Sequence, residues 1–200
     1  MSLVELIAQA DERGLAASGL ACLDRCVPLL GGDDEILRPL WASLSEGEGW
    51  GDDWRERVEQ VRAKLDLSGG GGGVGPGVPG GGVFGEGEAV VLVHRMLGAV
   101  PVDRAAGDLR EWADACSVAA LQVHRLLDAA SDGASSVTAR REGRTQDMSP
   151  LVAAELRRQI AILELLSAHG AAGVRRALDL STEGRRVLRA VVSRRARGRV

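Results

Sequence analysis

An all-α helical bundle is the architecture this sequence predicts, and three observations predict it. Apolar residues recur at spacings of three and four along most of the chain. Ala, Leu and Arg are plentiful, and they favour helix. The strand-preferring aromatics are scarce: four Trp, one Phe and no Tyr. One stretch, residues 69–82, interrupts the pattern with ten glycines in fourteen positions. It has no side chains for a core, and its backbone entropy resists a fixed path. The expectation is therefore a small acidic four-helix piece over 1–67, a flexible Gly/Pro linker over 68–85, and a larger helical bundle over 86–200 with a basic last helix.

Each element follows from local signals. Leu3, Leu6, Ile7 and Ala10 mark the first helix, which Gly14 interrupts. A second covers 15–30 with Leu20, Leu23, Val27 and Leu30 inward, and Pro28 kinks or ends it. Asp33 or Asp34 caps a third, with Ile36, Leu37, Leu40, Trp41 and Leu44 buried. Asp52 or Asp53 starts a fourth through Trp54, Val58, Val61 and Leu65. These four make two helix pairs with a period near 33 residues, but the marker positions of a tetratricopeptide-type repeat do not line up in both halves. So short a piece buries little surface alone and is expected to dock on the second piece.

Beyond the linker, Glu86 and Glu88 suit the N-terminus of a helix over 89–99, which Pro101 stops. The longest helix is expected over 103–131, with a stripe through Leu109, Trp112, Cys116, Ala119, Val123, Leu126 and Ala130. Residues 131–149 are polar and read as a mobile loop, with an arginine-rich part beside Ser135, Ser136, Thr138 and Thr145 that suits phosphorylation. Ser149-Pro150 opens a helix over 151–168. That helix is apolar nearly all round between Ile160 and Leu166, and is expected to be the most buried. A short helix over 174–178 and a last one capped by Ser181 or Thr182 complete the chain.

Charge is unevenly spread. Residues 139–200 carry fourteen arginines against six acids, a net +8, whereas 1–138 carry eleven basic and twenty-two acidic groups, a net −11. The two regions attract each other, within one chain or between chains. The last helix places Val187, Leu188, Val191 and Val192 on one side. Arg185, Arg186 and Arg189 occupy the other, and Arg194, Arg195, Arg197 and Arg199 crowd its end. These seven arginines are the candidate anion-binding or partner-binding residues. Residues 139–200 contain no aromatic for base stacking or for seating in a lipid interface.

Other chemistry lacks its signature. The glycine run has neither the Gly-Lys-Ser/Thr of a P-loop nor the preceding strand of a dinucleotide-binding turn. Cys22 and Cys26 stand one helical turn apart without a second ligand pair, and His94, His124 and His169 fall singly on three helices. The Glu-x-x-His pairs of di-iron bundles are absent, as is a nucleophile elbow. No catalytic, cofactor-binding or metal-binding residue is assigned. Three cysteines, no basic leader at the start and no membrane-length apolar run give a reduced, cytoplasmic protein as the expectation. The leading functional expectation is a non-catalytic helical protein-interaction or regulatory module with a protein partner. The alternatives are a nucleic-acid-associated protein gripping phosphates through its basic last helix, and a small-molecule enzyme or sensor with a pocket between helices.

Overall fold

The computed structural model describes residues 1–31, 35–47, 50–69, 85–130 and 132–198. Their regular structure is entirely helical, so the chain is an all-α bundle. In order it forms α1 (Leu3–Gln9), α2 (Glu12–Cys26), a 3-10 turn (Val27–Leu30), α3 (Arg38–Ser45), α4 (Trp54–Gly69), α5 (Glu86–Gly98) and α6 (Ala106–Leu127). There follow α7 (Val137–Arg141), α8 (Pro150–His169), a second 3-10 turn (Gly170–Gly173) and α9 (Val174–Arg197). The body of the glycine stretch, Asp33 and Asp34 lie outside the described residues, but α3 begins only at Arg38, with Leu37 as its N-cap and Pro39 in its first turn, later than the expected aspartate cap. None of the described helices is long and apolar enough to cross a membrane.

The bundle is built around α2. Asp11 caps it, its Oδ1 accepting the Gly14 N–H at 2.7 Å, so Gly14 sits in the first turn rather than breaking a helix. Every residue from Gly14 to Cys26 is buried. The helix packs on α6, α8 and α9, and also touches α3 and α5. Small residues explain this: Ala16, Ala17, Gly19 and Ala21 let neighbours close in from several sides. At Gly19 the approach is closest, since a Cβ there would lie 2.5 Å from the Trp112 ring. The 150–169 helix, expected to be the most buried, instead keeps Glu164, Ser167 and His169 exposed.

Three further expectations change. The α6 stripe ends on His124 and Leu127 rather than on Leu126 and Ala130, because a stripe repeating every 3.5 residues drifts around a helix of 3.6 residues per turn, and α6 ends at Leu127. The polar stretch before Ser149 contains α7, capped by Ser136. There the buried Arg140 guanidinium donates to the carbonyls of Arg144, Gln146 and Asp147, drawing the loop around itself. And α9 is one continuous helix across Ser181 and Thr182. Ser181 is buried, and its hydroxyl donates to Asp24 Oδ2 at 2.7 Å instead of capping a new start.

Residues 1–67 pack against the later helices. Trp54 Nε1–H donates to Pro101 O at 2.8 Å, and Arg62 donates to Gly98 O and Val100 O at 2.7 and 2.8 Å. Arg104 donates to Trp50 O, with its guanidinium 5.3 Å from the centre of the Trp50 ring. One apolar core runs through Leu6, Leu20, Leu40, Val58, Val93, Leu121, Ile162 and Leu188.

Candidate functional site

The seven candidate arginines do not share one surface. Arg185 is 7% exposed and donates through Nη1 to Asp24 Oδ1 at 2.7 Å, joining α9 to α2. Arg186, Arg189, Arg194 and Arg197 are exposed, and Arg195 is half-buried. Arg199 lies outside the described residues. After Leu188 no residue of α9 as far as Arg197 is buried. The last two to three turns thus overhang the core as a basic rod, with Val191 and Val192 half-covered on its inner side. Arg195 Nη1–H donates to Leu127 O at 3.0 Å, which satisfies a carbonyl at the end of α6 and anchors the rod there.

A groove of about 400 Å³ lies beside that anchor, between the C-terminus of α6, the start of α8 and the overhang of α9. Leu127, Leu151, Val187 and Val191 give it an apolar floor, and Arg194 and Arg195 stand at its edge. The start of α8 is fixed by Asp128, whose Oδ2 accepts the Leu151 N–H at 2.8 Å. This is a concave apolar surface with cationic groups on one side.

The structure also contains a buried polar seam that sequence reasoning missed. Arg25 and Glu155, both fully buried, form a fork: Nε donates to Oε2 at 2.8 Å and Nη2 to Oε1 at 2.6 Å. Gln159 Nε2 donates to Glu155 Oε1 at 2.8 Å, and Ser117 Oγ donates to Gln159 Oε1 at 2.7 Å. Arg141 Nε donates to Ser117 Oγ at 3.0 Å and its Nη2 to Asp114 at the surface. The seam ties α2, α6, α7 and α8 together. Gly184 of α9 makes room for it, since a Cβ there would lie 2.4 Å from Arg25 Cδ. Its signals were in the sequence: Arg25 stands inside an apolar run, and Glu155 and Gln159 are one helical turn apart in α8.

Burial and pairing compete along the seam. Burial pushes the Glu155 carboxyl up, but Arg25, then His124, pull it down to about 2. Burial opposes the Arg25 charge, and Glu155 more than restores it. Burial raises Asp24 despite Arg185 and Ser181. Burial lowers His124 against the opposing pull of Glu155. Neutral His124 carries its proton on Nδ1, 2.7 Å from Ala120 O, and Nε2 lies 3.5 Å from Glu155 Oε2.

The histidines and cysteines do not converge. His124 is 1% exposed, while His94 and His169 are exposed on α5 and α8. Cys22, Cys26 and Cys116 are buried thiols whose burial raises their pKa values, that of Cys22 to about 12. Among the described residues no group of three or more His, Cys, Asp or Glu is placed to hold a metal ion. The concave apolar surface with a cationic edge is therefore the candidate site. Comparison with protein-family models, curated proteins and solved structures finds no match to this chain.

Proposed function

We propose that this protein is a non-catalytic helical interaction module, and that its docking surface is the overhanging end of α9 with the groove beneath it. The observation that carries the reading is the overhang itself: a helix continuing past its last buried residue, Leu188, with Arg194 exposed beside an apolar floor and Arg197 exposed a turn further on. Such a surface suits a partner that is both apolar and acidic, typically an amphipathic helix laid in a groove. Phosphate backbones need the cations but not the floor. This favours a protein over a nucleic acid, as does the absence of aromatics from 139–200.

The test is fluorescence anisotropy with a labelled amphipathic peptide of Leu and Glu at helical spacing, beside a single-stranded oligonucleotide of equal length. The peptide is expected to bind, and the variant Arg194→Gln/Arg197→Gln to bind about tenfold more weakly. Tighter binding of the oligonucleotide, or equal peptide binding by the variant, overturns the reading.

A further inference from the structure

A second groove lies towards the other end of α6, a helix about 33 Å long. It has a volume of about 480 Å³ and runs between the 99–103 connection and the first turns of α6. Val100, Val102 and Trp112 line its floor, and Asp108 and Glu111 stand at its edge. Its neighbouring charges are engaged: Asp103 pairs with Arg55, and Arg62 donates to the Gly98 and Val100 carbonyls. Asp108 and Glu111 are exposed on successive turns, three residues apart, and no described cation pairs with either.

This groove complements the end of α9. Arg194 and Arg197 are also exposed and also three residues apart, so the two pairs have matching spacing and opposite sign. Val191 and Val192 pack against the chain's own core, so the match between the two patches is one of charge. One chain cannot join its own pair, because Arg195 holds the overhang at the far end of α6. We infer that the chain self-associates head to tail, the overhanging end of α9 of one copy lying in the acidic groove at the start of α6 of the next. This rests on the reading of α9 as the docking surface and names its partner as a second copy. The two patches differ, so the contact is heterologous and propagates into open chains or a ring. It is ionic and exposed, so it weakens with salt.

The experiment is sedimentation velocity on the full chain over a range of concentrations, at about 50 mM and about 500 mM salt. The sedimentation coefficient is expected to rise with concentration at low salt and to stay flat at high salt. Two variants, Asp108→Asn/Glu111→Gln and Arg194→Gln/Arg197→Gln, each keep one patch and are expected to be monomeric alone. An equimolar mixture is expected to give a 1:1 dimer and nothing larger, because only one contact can then form. Circular dichroism checks that both variants keep the wild-type helicity. Wild type that stays monomeric at low salt, a variant that associates like wild type, or a mixture that stays monomeric overturns the inference. The peptide assay above is read independently, so continued binding of the acidic peptide by a monomeric wild type sinks self-association and leaves the docking surface standing.

Discussion

The first half of α9 and its last turns use arginine in opposite ways. Arg185 lies where α9 crosses α2, and its guanidinium meets the buried carboxylate of Asp24. Arg194 and Arg197, nine and twelve residues on, stand in solvent beyond the last buried side chain. The residue type is the same and the helix is continuous. What differs is whether α2 lies alongside to supply a carboxylate. A count of arginines along a helix therefore does not delimit a surface; the neighbouring helix does. The bulk asymmetry of −11 against +8 divides accordingly. Part of it is neutralised inside the bundle, at Asp24–Arg185, and part is left outside at the two ends of α6, whereas Arg25–Glu155 pairs the minority charges of the two regions.

Substitutions in the two regions should separate cleanly. The largest effect belongs to Glu155→Ala, which leaves Arg25 buried without its carboxylate and is expected to cost about 3–5 kcal/mol in a urea unfolding experiment. Next is Arg185→Ala, which strands Asp24 and is expected to cost about 2–3 kcal/mol. Gly184→Ala forces a methyl against Arg25 and should cost about 1–3 kcal/mol by the same measurement. Arg194→Gln/Arg197→Gln should stay within about 0.5 kcal/mol of wild type while changing binding. If it destabilised as much as Arg185→Ala, the division of α9 into a pinned and a free part would fail.

Acid gives a further separation, acting on the inner region. Glu155 titrates at about 2 in the fold against 4.5 in an ordinary carboxyl, so its contribution is full above 4.5 and is lost as pH falls towards 2. His124 is lowered from 6.5, so the unfolded chain takes up this proton first and stability drops as pH falls below 6.5. Asp24 has the opposite sign: its raised pKa costs stability at neutral pH, and that cost shrinks as pH falls towards 3.8. Thermal melts should therefore begin to move downward below pH 6.5, and His124→Gln should flatten that first segment. An unchanged profile in the variant would remove His124 from the account.

Much of the bundle was readable from periodicity. The start of α8 at Ser149-Pro150 follows from the proline in its first turn, and the buried faces of α3 and α4 follow from local spacing. What could not be read locally is what depends on a distant partner. Ser181 looks like a helix cap until Asp24 is placed beside it. Arg140 looks like part of a polar loop until the carbonyls of 144–147 gather round it. The depth of α2 depends on what its small residues admit, such as the Trp112 ring over Gly19. The same limit applied to the candidate site: the overhang was visible as an arginine-rich end, but the loss of Arg185 to the interior was not.

The position of α2 also sets the order in which the molecule can be completed. Arg25 is synthesised 130 residues before its partner Glu155, and Asp24 157 residues before Ser181. During translation the central rod therefore emerges well before its covering exists, and closure must await α9. A nascent chain stalled before α9 would present that uncovered rod to chaperones.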